Sequence, residues 1–183
     1  MARTSGTVRR ITYYGEPVLH RRCADVTTFD RALETLVEDM FASMYAARGV
    51  GLAANQIGVA LRAFVYDCTN ADGVRHVGHV INPVLQAPSA LAGTLTEAEG
   101  CLSVPGPSAE LPRAALATVT GFDMHGAPIE ISGTGYFARC LQHETDHLDG
   151  IVYIDRLPIG QGRRLLREAG LKPKLLKAES RRP

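Results

Sequence analysis

Thr134-Gly135-Tyr136-Phe137-Ala138-Arg139-Cys140-Leu141-Gln142-His143-Glu144-Thr145-Asp146-His147 is bounded by Gly133 on one side and by Asp149-Gly150 on the other. Its spacing predicts a helix from about Thr134 through His147. Residues four apart on a helix lie one turn apart on the same face, so His143 and His147 can converge on one ion. Glu144 sits one residue around from the first imidazole, where it can handle a proton without ligating the ion. Tyr136, Cys140, His143 and His147 share a face by the same spacing.

Two imidazoles do not complete a catalytic site, which usually takes three protein ligands and keeps one position open. The third must come from elsewhere in the chain. Cys101, Cys68, Cys140, Glu99, His125 and the remaining acids are all candidates. Cys101 stands out by its setting, Glu99-Gly100-Cys101-Leu102-Ser103-Val104-Pro105-Gly106: a glycine allows close approach and a Pro-Gly turn fixes the exit.

Outward from this helix, residues 29–47 carry Leu33, Leu36, Val37, Met40, Phe41, Met44 and Tyr45 at helical spacing. Thr27, Thr28 and Asp30 offer N-caps and Gly49 supplies the stop, so this amphipathic N-terminal helix delivers the chain into a glycine-rich turn. Leu61–Tyr66 and His79–Leu85 read as strands broken by Asn70–Gly73. Ala115–Phe122 and Pro128–Ile131 read as a hairpin around Asp123–Gly126, and Ile151–Ile154 as a further short strand. Pro158 and Gly160 precede a basic helical stretch around Arg163–Glu168. Hairpins between helices, rather than alternating βαβ units, predict an α+β fold. Short antiparallel or mixed sheets would surround the central metal-binding helix, with residues 1–158 as one catalytic domain and 159–183 as a basic tail, helical in part.

The chain has 183 residues and a net charge of +1, lacks Trp and has 6% aromatics, which gives no ground for sequence-specific nucleic acid or membrane as a partner. Charge is nonetheless uneven. Residues 159–183 carry eight Lys/Arg against Glu168 and Glu179, a net +6 that leaves −5 for the rest. A basic tail of this kind can lean on a polyanion such as ribosomal RNA. The four cysteines, Cys23, Cys68, Cys101 and Cys140, form no paired-thiol motif and read as free thiols of a reducing compartment. Met1 to Arg10 lacks an apolar core of signal-peptide length, and no apolar run is long enough to span a membrane; a cytoplasmic location is expected.

Three segments, Gly49-Val50-Gly51-Leu52-Ala53-Ala54-Asn55-Gln56, Glu99-Gly100-Cys101-Leu102-Ser103 and Gln142-His143-Glu144-Thr145-Asp146-His147, together resemble the signature motifs of the peptide deformylases, in the family's order and at similar separations. The resemblance covers roughly residues 8–158, with Tyr14-Gly15-Glu16-Pro17-Val18-Leu19 and Leu111-Pro112-Arg113 included. It implies that Cys101 joins His143 and His147 on one divalent metal, generally ferrous iron, with zinc, nickel or cobalt able to replace it. It implies hydrolysis of the N-formyl group from the initiator methionine of nascent polypeptides, with Glu144 moving the proton. The side-chain amide of Gln56 and the backbone N–H of Leu102 would steady the oxyanion. Gly49 and Gly51 would let an extended peptide pair with backbone, and Val50, Tyr136, Arg139, Cys140 and His143 would surround the methionine side chain. Tyr136 and Arg139 stand where the best-known bacterial members carry aliphatic residues, and Glu97 where an aliphatic is common. Glu99, Arg113 and Asp146 are expected behind the ligands, Arg113 pairing with Asp146 because a charge so near the ion is costly unless balanced. The resemblance also makes the ribosome, near its exit tunnel, a partner for the basic tail. Two other readings fit part of the pattern: a His-Glu-x-x-His metallopeptidase, and a non-catalytic metal domain that binds ribosomes.

Overall fold

The computed structural model describes residues 6–87 and 93–172. Helix α1 spans Arg31–Ala46 and starts where the Asp30 carboxylate accepts from the Ala32 and Leu33 N–H groups at 3.0 and 3.1 Å. Its Leu33, Leu36, Val37, Met40 and Met44 are buried, each contributing about 1.5–3 kcal/mol of apolar burial. The turn that follows leads into β1 (Gly51–Ala53), then β2 (Ala63–Thr69) and β3 (Arg75–Leu85). A hairpin of β4 (Thr94–Cys101) and β5 (Val104–Ala114) precedes a second hairpin of β6 (Leu116–Phe122) and β7 (Pro128–Thr134). Helix α2 (Gly135–Leu148) and helix α3 (Ile159–Glu168) complete the described α-helices.

The strands form a five-stranded sheet in the order β1-β2-β3-β6-β7 and a separate two-stranded β4-β5 sheet, and every strand pairing is antiparallel. The fold is α+β in one domain, with helix α2 buried between the two sheets: Phe137, Ala138, Leu141 and Leu148 pack on the large sheet with Phe64, Val80 and Val119. Gln142 fastens α2 to the small sheet by exchanging hydrogen bonds with the Ala114 backbone, 3.1 Å in and 2.9 Å out. At the helix C-terminus the buried Arg62 donates to the Leu148 carbonyl at 3.2 Å and to Asp149 Oδ1 at 2.7 Å, a cation where exposed carbonyls favour one.

Ile151–Ile154 is not a strand. Tyr153–Arg156 forms a single 3₁₀ turn instead, because Asp155 Oδ2 accepts from the Val152 N–H at 2.8 Å and closes the chain on itself. The β4–β5 hairpin, conversely, was not foreseen. Helix α3 begins at Ile159, and its Leu165 and Leu166 are buried with Leu19, Val104, Leu111 and Ile154, so the start of the basic segment packs on the body of the domain. Arg163, Arg164 and Arg167 stay exposed; Lys174, Lys177, Arg181 and Arg182 lie outside the described residues. No helix among the described residues is long and apolar enough to cross a membrane.

Candidate metal centre

The site forms where the small sheet ends against α2. Gly51 opens β1 beside Glu144, Cys101 closes β4, and His143 and His147 project from successive turns of α2. Cys101 Sγ lies 3.2 Å from His147 Nε2, which lies 3.2 Å from His143 Nε2. Among the described residues this is the one group of three His, Cys, Asp or Glu ligand atoms that converge closely enough for one ion. Of the other candidates for third ligand, His125 stands 3.6 Å from Glu34, and Cys68 and Cys140 lie in the large-sheet core.

The donor set fits a cation. His143 Nδ1 lies 2.7 Å from Glu99 Oε1, a contact that turns the other ring nitrogen, Nε2, towards His147 and is the arrangement in which Nδ1–H donates to the carboxylate while Nε2 ligates a cation. Burial disfavours charge on His143, but Cys101 and Glu99 outweigh it and raise its pKa, so the surroundings already call for positive charge at this spot. Burial lowers the pKa of His147, with the neighbouring His143 adding to it, which keeps its imidazole neutral and able to ligate.

Behind the ligands runs a buried ion network. Arg113 donates to Glu99 at 2.7 and 3.0 Å and to Asp146 Oδ2 at 2.6 Å. Arg139 adds a third cationic contact to Glu99 at 2.8 Å, and Arg156 forks onto both oxygens of Asp146, 2.6 Å to Oδ2. Burial would raise the Glu99 carboxyl, yet the bonds from His143 and Arg113 hold it well below the usual carboxylate range. The Arg113–Asp146 pair expected from charge balance is present. Arg156 was missed, because it lies on the irregular segment after α2. Arg113→Ala would leave two buried carboxylates short of a partner, a loss of about 3 kcal/mol. A melting curve should fall by roughly 6–12 °C, and the metal should leave more readily on chelation; an unchanged curve would show the network to be idle.

Glu144 is 3% exposed, and its Oε2 has no hydrogen-bond partner among the described residues. Burial raises its pKa to about 7, against the opposing influence of His143. A carboxyl so poised exchanges protons readily near neutrality. Gln56 is held by its own turn, where Oε1 accepts from the Ala53 N–H at 2.9 Å. Its Nε2 donates to Ser103 Oγ at 3.2 Å and towards Cys101 Sγ at 3.5 Å, beside the ligands. Ser103, not singled out from sequence, also donates its N–H to the Cys101 sulfur at 3.4 Å.

A cavity of about 430 Å³ opens onto this centre. Gly49, Val50, Gly51 and Gln56 line it, with Glu99 to Leu102 from the small sheet and Tyr136, Arg139, Cys140, His143 and Glu144 from α2. His147, Arg113 and Asp146 stand behind it. Arg139 lines the cavity, and its guanidinium is taken up by Glu99 and by the Leu111 and Leu95 carbonyls at 2.9 and 3.0 Å, so it also ties α2 to the small sheet.

The family model for polypeptide deformylase matches residues 8–161, which contain every one of these residues. The chain belongs to the polypeptide deformylase family. It is 55% identical to peptide deformylase 2 of Streptomyces avermitilis over 170 residues, 93% of this chain and 90% of the relative. It is 58% identical to peptide deformylase 1 of the same organism over 167 residues, 91% and 77% of the two chains. The crystal structure of peptide deformylase from Ehrlichia chaffeensis superposes with a TM-score of 0.83 at 31% identity, covering 90% of this chain and 96% of that one. That from Legionella pneumophila gives 0.81 at 39% identity, covering 97% and 100%. Membership makes the deformylase an enzyme, a hydrolase, and accounts for the open side of the Cys101-His143-His147 group: a purely structural site would be closed by a fourth ligand.

Proposed function

We propose that this enzyme removes the N-formyl group from the initiator methionine of new polypeptides, splitting the amide with water into formate and a free amine. The observation that carries the reading is Glu144, buried with one oxygen unpartnered among the described residues, beside three convergent ligand atoms and lining a cavity of about 430 Å³. A divalent cation held by Cys101, His143 and His147 supplies Lewis acidity for amide hydrolysis, and we assign ferrous iron, a thiolate–imidazole set also suiting zinc, nickel or cobalt.

The remaining work falls to side chains and backbone. Glu144 takes a proton from the attacking water and returns it to the departing nitrogen. Gln56 Nε2 and the Leu102 N–H steady the negative oxygen, each such donor typically contributing about 100- to 1,000-fold in rate. Gly49 and Gly51 let the peptide backbone lie close, and Val50, Tyr136, Arg139 and Cys140 surround the methionine side chain. Glu99 fixes the imidazole of His143, with Arg113 and Asp146 balancing its charge.

The test is formate release from a formyl-methionyl peptide by anaerobic iron-loaded, zinc-loaded and chelated protein. Release by the iron form and silence after chelation are expected. Internal cleavage of unformylated peptides, with no formate, would instead identify a metallopeptidase.

A further inference from the structure

Arg48 lines the same cavity as Glu144, and its backbone is out of the ordinary. Its φ is +56°, in the left-handed region, directly after the Ala47 cap of α1. Glycine is the residue that a helix end normally places in this conformation. Among the described residues only Asn82 shares a positive φ without being glycine. Asn82 is compensated, exchanging two hydrogen bonds of 2.8 Å with Val26. Among the described residues, no hydrogen bond of the Arg48 side chain offsets the cost in the same way. A side chain kept at a disfavoured backbone position beside a site points to use.

The charge of Arg48 is also unspent. Of the charged groups that line the cavity, Arg139 and Glu99 pair with each other, and Glu144 is buried beside the ligands. Arg48 is exposed, and none of the ion pairs among the described residues uses it. Position matters as much as charge. Gly51 adjoins Glu144, and Arg48 lies three residues before it, so no more than roughly 10 Å of chain separates them. An extended peptide with its formyl carbon at Glu144 has its second and third residues within that reach.

We propose that Arg48 is a specificity-determining residue that selects formylated peptides carrying an acidic side chain at the second or third position. This rests on the deformylase reading. An exposed ion pair of this kind is worth roughly a two- to five-fold preference at low ionic strength, erased by salt.

The test compares formyl-Met-Ala-Asp with formyl-Met-Ala-Lys on full-length wild type, Arg48→Gly and Arg48→Glu. The aspartyl peptide should win in kcat/KM, through KM; the ratio should collapse in Arg48→Gly and invert in Arg48→Glu. Calorimetric binding of unformylated Met-Ala-Asp and Met-Ala-Lys, which needs no turnover, should rank the same way. Arg48→Gly should melt no lower than wild type, since glycine suits a left-handed position. Equal kinetics and equal binding for the two peptides, a preference that survives in Arg48→Glu, or a lower melting temperature for Arg48→Gly would each overturn the proposal. Failure to release formate from every formylated peptide would sink the deformylase reading instead, and the two binding affinities would still decide Arg48.

Discussion

Glu144→Gln should abolish turnover while the metal stays in place. The exchange keeps the volume of a side chain that is 3% exposed, so neither packing nor the three ligands need move. What disappears is a carboxyl able to accept and return a proton near pH 7. A positioned acid–base group contributes about 100- to 10,000-fold, and here one group serves both halves of the reaction. We expect kcat on a formyl-methionyl peptide to fall about 1,000-fold or more. Metal analysis of the purified variant should still find one ion per chain. A kcat within ten-fold of wild type would remove Glu144 from the mechanism.

Gly51→Ala should be almost as damaging, for a steric reason. A β-carbon on Gly51 would overlap Glu144 Oε1 and stand 2.9 Å from both Glu144 Cδ and Cys140 Sγ. The strand cannot retreat, because Gly51 pairs with Tyr66 and the Val50 carbonyl accepts from the Asp67 N–H at 2.8 Å. Glu144 must therefore swing from its place. Displacing a reacting group by about 1 Å costs on the order of 100-fold, so kcat/KM should drop at least that far with the metal retained. Gly49→Ala offers the contrast: its new β-carbon would meet the Leu102 Cδ1 atom at 2.7 Å, the tip of a flexible side chain that can turn away. If Gly51→Ala lost no more activity than Gly49→Ala, crowding of Glu144 would not be what the glycine prevents.

The two helices that frame the centre were plain in the sequence because each repeats its apolar residues every three or four positions and carries its own boundaries. Local pattern could also place two ligands and a base on α2. It could not choose Cys101 from the other candidates, since nothing near Cys101 reports that it faces a histidine 46 residues later; the three-motif resemblance was needed. The β4–β5 hairpin escaped because Pro105, Pro107 and Pro112 break the β pattern and Glu97, Glu99 and Glu110 break its apolar alternation. Ile151–Ile154 misled for the opposite reason, an apolar run too short to separate strand from turn. The role of Arg139 was hidden because its partners, Glu99, Leu95 and Leu111, belong to that unseen hairpin.

Cys101 comes from one sheet and the histidines from a helix clamped between two. In the unfolded chain the thiol is separated from His147 by a loop whose closure costs entropy, so the complete ligand set exists only after the tertiary structure does. Metal affinity and folding are then a single linked equilibrium: an ion that recognises the native arrangement alone adds to its stability in proportion to the logarithm of its concentration over its dissociation constant. By the same linkage, a substitution far out on the β4–β5 hairpin that loosens the fold also loosens the grip on the ion, without coming near it.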